Sequence, residues 1–206
     1  MNAESVKKAF NAISRIITMN KDYLIQLDSQ NGDGDLGISM ENGFCGAKEF
    51  LEKSNISDVG KLLNKTADYF NEAAPSSLGT IISFGIKGMA RSLKGKEEFS
   101  VLDLGVAFNA GISNIMEKAK SKPGEKTILD ALYPAAQALI DNAEKDLETA
   151  LREAAAKAEE GSEKTKEMCA VWGRAAYYGE KSLGILDGGS VVGNLIFEGL
   201  LQALEE

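Results

Sequence analysis

Between Leu27 and Met40 the chain reads LDSQNGDGDLGISM, and three carboxylates, Asp28, Asp33 and Asp35, are threaded there by Gly32, Gly34 and Gly37. Like charges gathered on a short turn repel one another unless a cation completes them. Hard oxygen ligands favour Mg²⁺ or Ca²⁺ over zinc, which prefers nitrogen and sulfur. A calcium EF-hand fails on register. Begun at Asn31 or Asp33, its sixth position falls on Leu36 or Ile38 instead of glycine, and its twelfth on Asn42 or Phe44 instead of glutamate. Mg²⁺ takes few protein carboxylates and completes its shell with phosphate oxygens and water. Gly37-Ile38-Ser39 reads as a helix start, whose free N–H groups bind phosphate. The residues therefore point to a Mg²⁺–nucleotide site, with a solvated acidic turn as the alternative.

The elements that must hold this turn are helical. Val6, Phe10, Ile13 and Ile17 recur at three- and four-residue steps, as do Val59, Leu62, Leu63, Thr66, Tyr69 and Phe70. Ser100 with Asp103 forms a capping-box pattern ahead of another such stripe. KDYLIQLD is a helical stretch that closes on Asp28. Further helices are expected over 126–142, 146–159, 163–178 and 190–204, with Gly161 capping the alanine-rich one and Pro134 bending another. No set of alternating strands competes. The expectation is one all-α domain over residues 1–206, with about eight helices.

Composition narrows the function. With 23 basic and 31 acidic residues the net charge is −8, which argues against nucleic acid or an anionic membrane as the main partner. There is no histidine, so histidine catalysis, histidine metal ligation and a phosphohistidine on this chain are excluded. Cys45 and Cys169 match neither a zinc pattern nor a disulfide framework and read as reduced, structural thiols. The N-terminus lacks the apolar core of a signal peptide, and no run reaches the roughly 18 apolar residues of a membrane span. A cytoplasmic protein is expected.

Three blocks in order carry a resemblance. Asp28-x4-Asp33-x-Asp35-x-Gly37 resembles the metal motif of the nucleotide-binding L subunit, or L domain, of the dihydroxyacetone kinases. PGEKTILDALYPA, from Pro123, is similar to the family's P-G-D-K-T-M-x-D-x-x-x-P, and GRAAYYGEKSLGILDGGS, from Gly173, to its G-R-A-S-Y-x-G-E-R-S-x-G-x-x-D-P-G-A. The chain departs from the family at Leu36, where histidine is usual, at Pro75-Ser76-Ser77 in place of a Gly-Gly-x-Ser-Gly loop, at Glu125 and at Gly188.

The resemblance implies a closed barrel of eight antiparallel amphipathic helices with ADP or ATP at one end. Asp28, Asp33 and Asp35 would hold Mg²⁺. Gly37 and Ser39, with Ser76 or Ser77, would offer donors to phosphate, and Gly124 would lie against the nucleotide. Arg174 would stabilise the phosphoryl group in flight, or else pair with a helix C-terminus. Asp187, Gly188 and Gly189 would belong to a late loop closing over the nucleotide. Lys126 and Thr127 read as a helix start with Thr127 as cap, Glu180 and Lys181 as solvated charges, and Trp172, Tyr177 and Tyr178 as core or rim packing.

The family's substrate is held by a histidine on a separate K subunit, so this chain would act with that partner. A phosphohistidine protein of the phosphotransferase system would rephosphorylate bound ADP. In the other arrangement, ATP exchanges at each turnover or serves another small hydroxylated substrate. A nucleotide-binding regulatory module and a lipid-handling helical domain are the readings from other classes.

Overall fold

Six of the nine α-helix starts among the described residues are written by short polar caps. Asn2 accepts amides of the first turn of α1 (Ala3–Met19). Asp58 caps α4 (Val59–Ala73), Ser76 caps α5 (Ser77–Ser92), and Ser100 with Asp103 forms the expected capping box on α6 (Val101–Ala119). The computed structural model describes residues 1–205. Among them lie nine α-helices, the remainder being α2 (Lys21–Asp28), α3 (Leu36–Lys53), α7 (Leu129–Asp141), α8 (Leu147–Lys164) and α9 (Gly188–Gln202). The single β feature among the described residues is an isolated bridge between Asn2 and Glu98.

Each helix from α3 to α9 packs on the next, and α1 lies against both α9 and α3. Their apolar stripes face one shared interior, where Phe44 meets Phe70 edge-on and Phe108 tilts against Phe197. That interior keeps an apolar cavity of about 330 Å³, lined among others by Phe10, Phe44, Ile86, Phe99, Phe108 and Ile112. No helix of the described residues is long and apolar enough to cross a membrane.

Several expectations about elements are corrected. Against the expected count of about eight there are nine α-helices among the described residues; α1 ends at Asn20, whose side chain turns back onto the carbonyl of Ile16, and α2 resumes at once. The helix expected over 126–142 begins only at Leu129, after Lys126 in a left-handed conformation (φ 60°). Thr127 accepts from Leu129 N through its hydroxyl, but Ile128 is the residue at the N-cap position. No α-helix spans 163–178. Instead α8 runs on through Gly161 to Lys164, and the chain then follows two 3-10 segments, Thr165–Glu167 and Arg174–Ser182, to α9.

Gly161 is therefore no cap. A Cβ there would stand 2.0 Å from Asp130 O and 3.0 Å from Pro134 Cγ, so its absence sets the closeness of α8 to α7. Pro134 lies inside α7 and cannot donate to Asp130 O, which leaves that carbonyl turned to the neighbouring helix. Cys45 is half-buried beside the Ser14 hydroxyl, whereas Cys169 is exposed, because its stretch is loop instead of packed helix. Tyr69, placed on an apolar stripe, is half exposed and stacks on Phe50.

Candidate functional site

Four connections meet at one end of the helices, and each contributes one group of side chains. In the first, between α2 and α3, the Asp28 carboxylate accepts from Gly34 N at 2.8 Å and Asp35 N at 3.2 Å. Those two bonds curl the turn back upon the end of α2, with Gly34 at φ 73° where a side chain would be strained. Oxygen atoms of Asp28, Asp33 and Asp35 consequently lie within 4.8 Å of one another. Partial burial pushes the Asp35 carboxyl above its ordinary range, and repulsion from Asp33 and Asp28 adds to this against the opposing Arg174. Three oxygens so placed can share one hard cation.

The start of α3 adjoins this cluster. Its first intrahelical bond is Ser39 N to Asp35 O, and the Asp35 carboxylate caps no amide of the first turn. Amides at the start of the helix therefore remain for a ligand. Gly37 is held by packing as well, since a Cβ there would stand 2.2 Å from Lys21 O. The Ser39 and Ser76 hydroxyls hydrogen-bond at 2.6 Å, which joins the start of α3 to that of α5. Ser76 also accepts from Gly79 N, and Ser77 is the first residue of α5.

From the third connection, between α6 and α7, comes Gly124 at φ 92°, its N–H given to Asp130 Oδ1. Asp130 accepts from Thr127 N with its other oxygen, so one buried carboxylate shapes the whole turn. The fourth connection, between α8 and α9, carries Arg174, whose Nη2 lies 2.7 Å from Asp33 Oδ2. Arg174 thus pairs with the acidic turn instead of a helix C-terminus. Asp187 caps α9 by accepting from Ser190 N, and burial pushes its carboxyl up to about 7 despite that bond and the nearby Lys126 ammonium. Gly188 and Gly189 open α9. Gly189 lies near Ile128 N, and a Cβ on Gly188 would meet Leu36 Cδ2 at 2.5 Å. Leu36 and Gly188, two of the departures from the family pattern, are thus one contact.

Trp172, Tyr177 and Tyr178 form rim and not core. Tyr177 is 91 % exposed, and Asn31, Gly32, Arg174, Tyr177 and Tyr178 line a shallow pocket beside the acidic turn. Trp172 donates to Glu125 Oε2, which ties another departure residue to the last loop. Glu180 and Lys181 are exposed, as solvated charges should be. Lys126, Asp130 and Thr165, which knit these loops together, were not singled out for the site by their spacing. The only signal for the first two was their place in the Pro123 block, and Thr165 carried none.

The arrangement defines an all-helical protein whose loop end presents clustered carboxylates, open helix starts and an arginine, a set of groups able to hold a divalent cation with phosphate. Residues 30–202 match the model of the DAK2 domain. The PEP-dependent dihydroxyacetone kinase ADP-binding subunit DhaL of Escherichia coli K12 is 28 % identical over 93 % of this chain and 92 % of its own length. The L-erythrulose kinase of Pectobacterium atrosepticum is 30 % identical over 98 % of this chain, which spans only 35 % of that protein. In fold the chain is similar to the dihydroxyacetone kinase of C. freundii, solved in complex with AMP-PNP and Mg²⁺, with a TM-score of 0.76 at 20 % identity over 96 % of this chain and 33 % of that one. The chain belongs to the DAK2 domain family, and with these relatives to the kinases.

Proposed function

We propose that the chain is a nucleotide-binding kinase subunit that works in the cytoplasm as one domain, its eight ring-forming helices closed as an antiparallel barrel. The observation that carries the reading is the meeting of Asp28, Asp33 and Asp35 with Arg174 at the end where four interhelical connections converge. The donor set suits Mg²⁺, being all carboxylate oxygen with room left for phosphate and water. Mg²⁺ supplies neutralisation of charge on the phosphate oxygens.

The remaining work belongs to the chain. Gly37, Ser39, Ser76 and Ser77 donate to phosphate from two helix starts joined by the Ser39–Ser76 hydrogen bond. Gly124, Asp187, Gly188 and Gly189 line the nucleotide from the opposite connections. Arg174, two-thirds exposed, turns its guanidinium from Asp33 to the transferring phosphoryl group, where a planar fork of donors matches the developing charge. No histidine exists to carry phosphate or substrate on this chain. In this proposal the acceptor, dihydroxyacetone, sits on a separate K subunit, and ADP stays bound as a cofactor rephosphorylated by a phosphohistidine protein of the phosphotransferase system. The near full-length match to a PEP-dependent ADP-binding subunit supports that arrangement over ATP exchange.

The test is to denature the purified protein and identify released nucleotide by chromatography and mass spectrometry. Stoichiometric ADP is expected. A protein that releases none and binds neither Mg–ADP nor Mg–ATP refutes the reading. The interior apolar cavity favours a second property, an apolar ligand held between the helices, which lipid extraction of the same preparation detects.

A further inference from the structure

The connection between α8 and α9 carries Arg174, yet it holds only two 3-10 segments, with Gly173, Gly179 and Gly184 at positive φ. Such a segment samples many conformers unless it is anchored. Its two ends are anchored by one side chain. Lys126 Nζ donates to Thr165 O at 2.6 Å and to Ile185 O at 2.5 Å, the first and nearly the last carbonyls of the connection. The residue beside it grips the middle: Glu125 O accepts from Val171 N at 3.4 Å, and Glu125 Oε2 from Trp172 Nε1.

This placement costs free energy that a helix start does not require. Lys126 is 3 % exposed and sits at φ 60°, while α7 begins three residues later. Burying an ammonium is expensive unless it is hydrogen-bonded and paired. Here the two carbonyls accept hydrogen bonds from it, and the charges of Asp187 and Asp130 lie close enough to oppose the effect of burial on its pKa. Thr165 is shared in the same way, its hydroxyl accepting from Asp187 N and donating to Ser162 O.

We propose that Lys126 is a positioning residue for the phosphate site: its ammonium draws together the two ends of the 165–185 loop and so holds Arg174 beside the acidic cluster. The proposal rests on the reading of that cluster as a Mg²⁺–nucleotide site. Lys126 acts through the loop and touches neither phosphate nor metal.

Trp172 is the only tryptophan and lies within the loop, so its fluorescence reports on the loop alone. The experiment compares acrylamide quenching of Trp172 in nucleotide-free wild type and Lys126→Met, with the far-ultraviolet helix signal as the folding control. Mg–ADP is then titrated by calorimetry. Expected are an unchanged helix signal, stronger quenching, and a Mg–ADP dissociation constant raised about tenfold, as follows if the competent loop population falls to about a tenth. Wild-type quenching in a folded Lys126→Met protein overturns the proposal. So does stronger quenching with unchanged Mg–ADP affinity, which would make Lys126 a staple without influence on the site. Should Lys126→Met not fold, Lys126→Gln takes the same measurements, because its amide keeps a polar head but is shorter and carries no charge with which to hold both carbonyls. Unchanged quenching or unchanged affinity there overturns the proposal equally. A wild type that binds no Mg–ADP or Mg–ATP overturns the reading of the site, and the proposal with it, before any substitution is made.

Discussion

Replacing Asp33 by asparagine exchanges one oxygen for an amide and removes a charge without changing volume. In the nucleotide-free protein the consequences nearly cancel. Asp33 is repelled by Asp28 and Asp35, with oxygens up to 4.8 Å apart. At an effective dielectric of about 20 each repulsion is worth roughly 3 kcal/mol. It is attracted by Arg174 at 2.7 Å. On the same scale that attraction is worth roughly 6 kcal/mol, and solvent at this partly exposed pair reduces all three. Asp33→Asn should therefore leave the stability of the nucleotide-free protein within about 1 kcal/mol of wild type. Ligand binding should respond very differently. Loss of one of three anionic ligands is expected to weaken Mg-dependent ADP binding at least about a hundredfold. With Mg–ADP at about 100 times the wild-type dissociation constant, wild type gains about 2.7 kcal/mol and the variant about 0.4 kcal/mol. For a chain of 206 residues those gains correspond to a rise in melting temperature of about 5–10 °C against about 1 °C. Thermal denaturation with and without Mg–ADP, supported by calorimetric titration, reads both numbers. Equal ligand-induced shifts in the two proteins would refute the metal-site reasoning.

Arg174→Ala should lower phosphoryl transfer, assayed with the K subunit, by about a thousandfold while changing Mg–ADP affinity far less; equal losses in both would make the arginine a binding group only. Asp187 is pushed up to about 7, so the native state holds a proton that the unfolded chain has released, and stability falls as pH rises from about 4 to about 7. Part of its surface meets solvent, so the loss is a few kcal/mol at most. Asp187→Asn, which still caps Ser190 N, should flatten the pH dependence of urea stability across that window in the nucleotide-free protein, and an unchanged slope would contradict the assignment. Gly161→Ala sets helix propensity against packing. Propensity favours alanine by about 1 kcal/mol, but its Cβ would meet Asp130 O at 2.0 Å. A net destabilisation of about 1–3 kcal/mol is expected by chemical denaturation, and a stabilised variant would show that α7 and α8 separate at little cost.

Local physics was legible without a structure. The stripes of α1, α4 and α6, the capping box at Ser100 and the closure of α2 on Asp28 all follow from residues within one or two turns of each other, and all are found. The acidic turn was legible for the same reason: Asp28, Asp33 and Asp35 are near in sequence, and one carboxylate accepting two amides brings them together. What periodicity misread were places where a distant partner outweighs local preference. Gly161 has the look of a cap, yet it lies inside α8 because the carbonyl above Pro134 needs a neighbour without a Cβ. The 163–178 segment contains helix formers, yet Lys126 holds Thr165 near its start and Ile185 beyond its end, while Glu125 holds Val171 and Trp172 in its middle, which a continuous helix could not satisfy. The contact of Leu36 with Gly188, the bond from Ser39 to Ser76 and the pairing of Arg174 with Asp33 join residues from different connections. Sequence alone determined that the chain is helical and where it gathers negative charge. Which side chains surround that charge was decided only by the packing of the helices, because the burial of their apolar faces fixes which loops share an end.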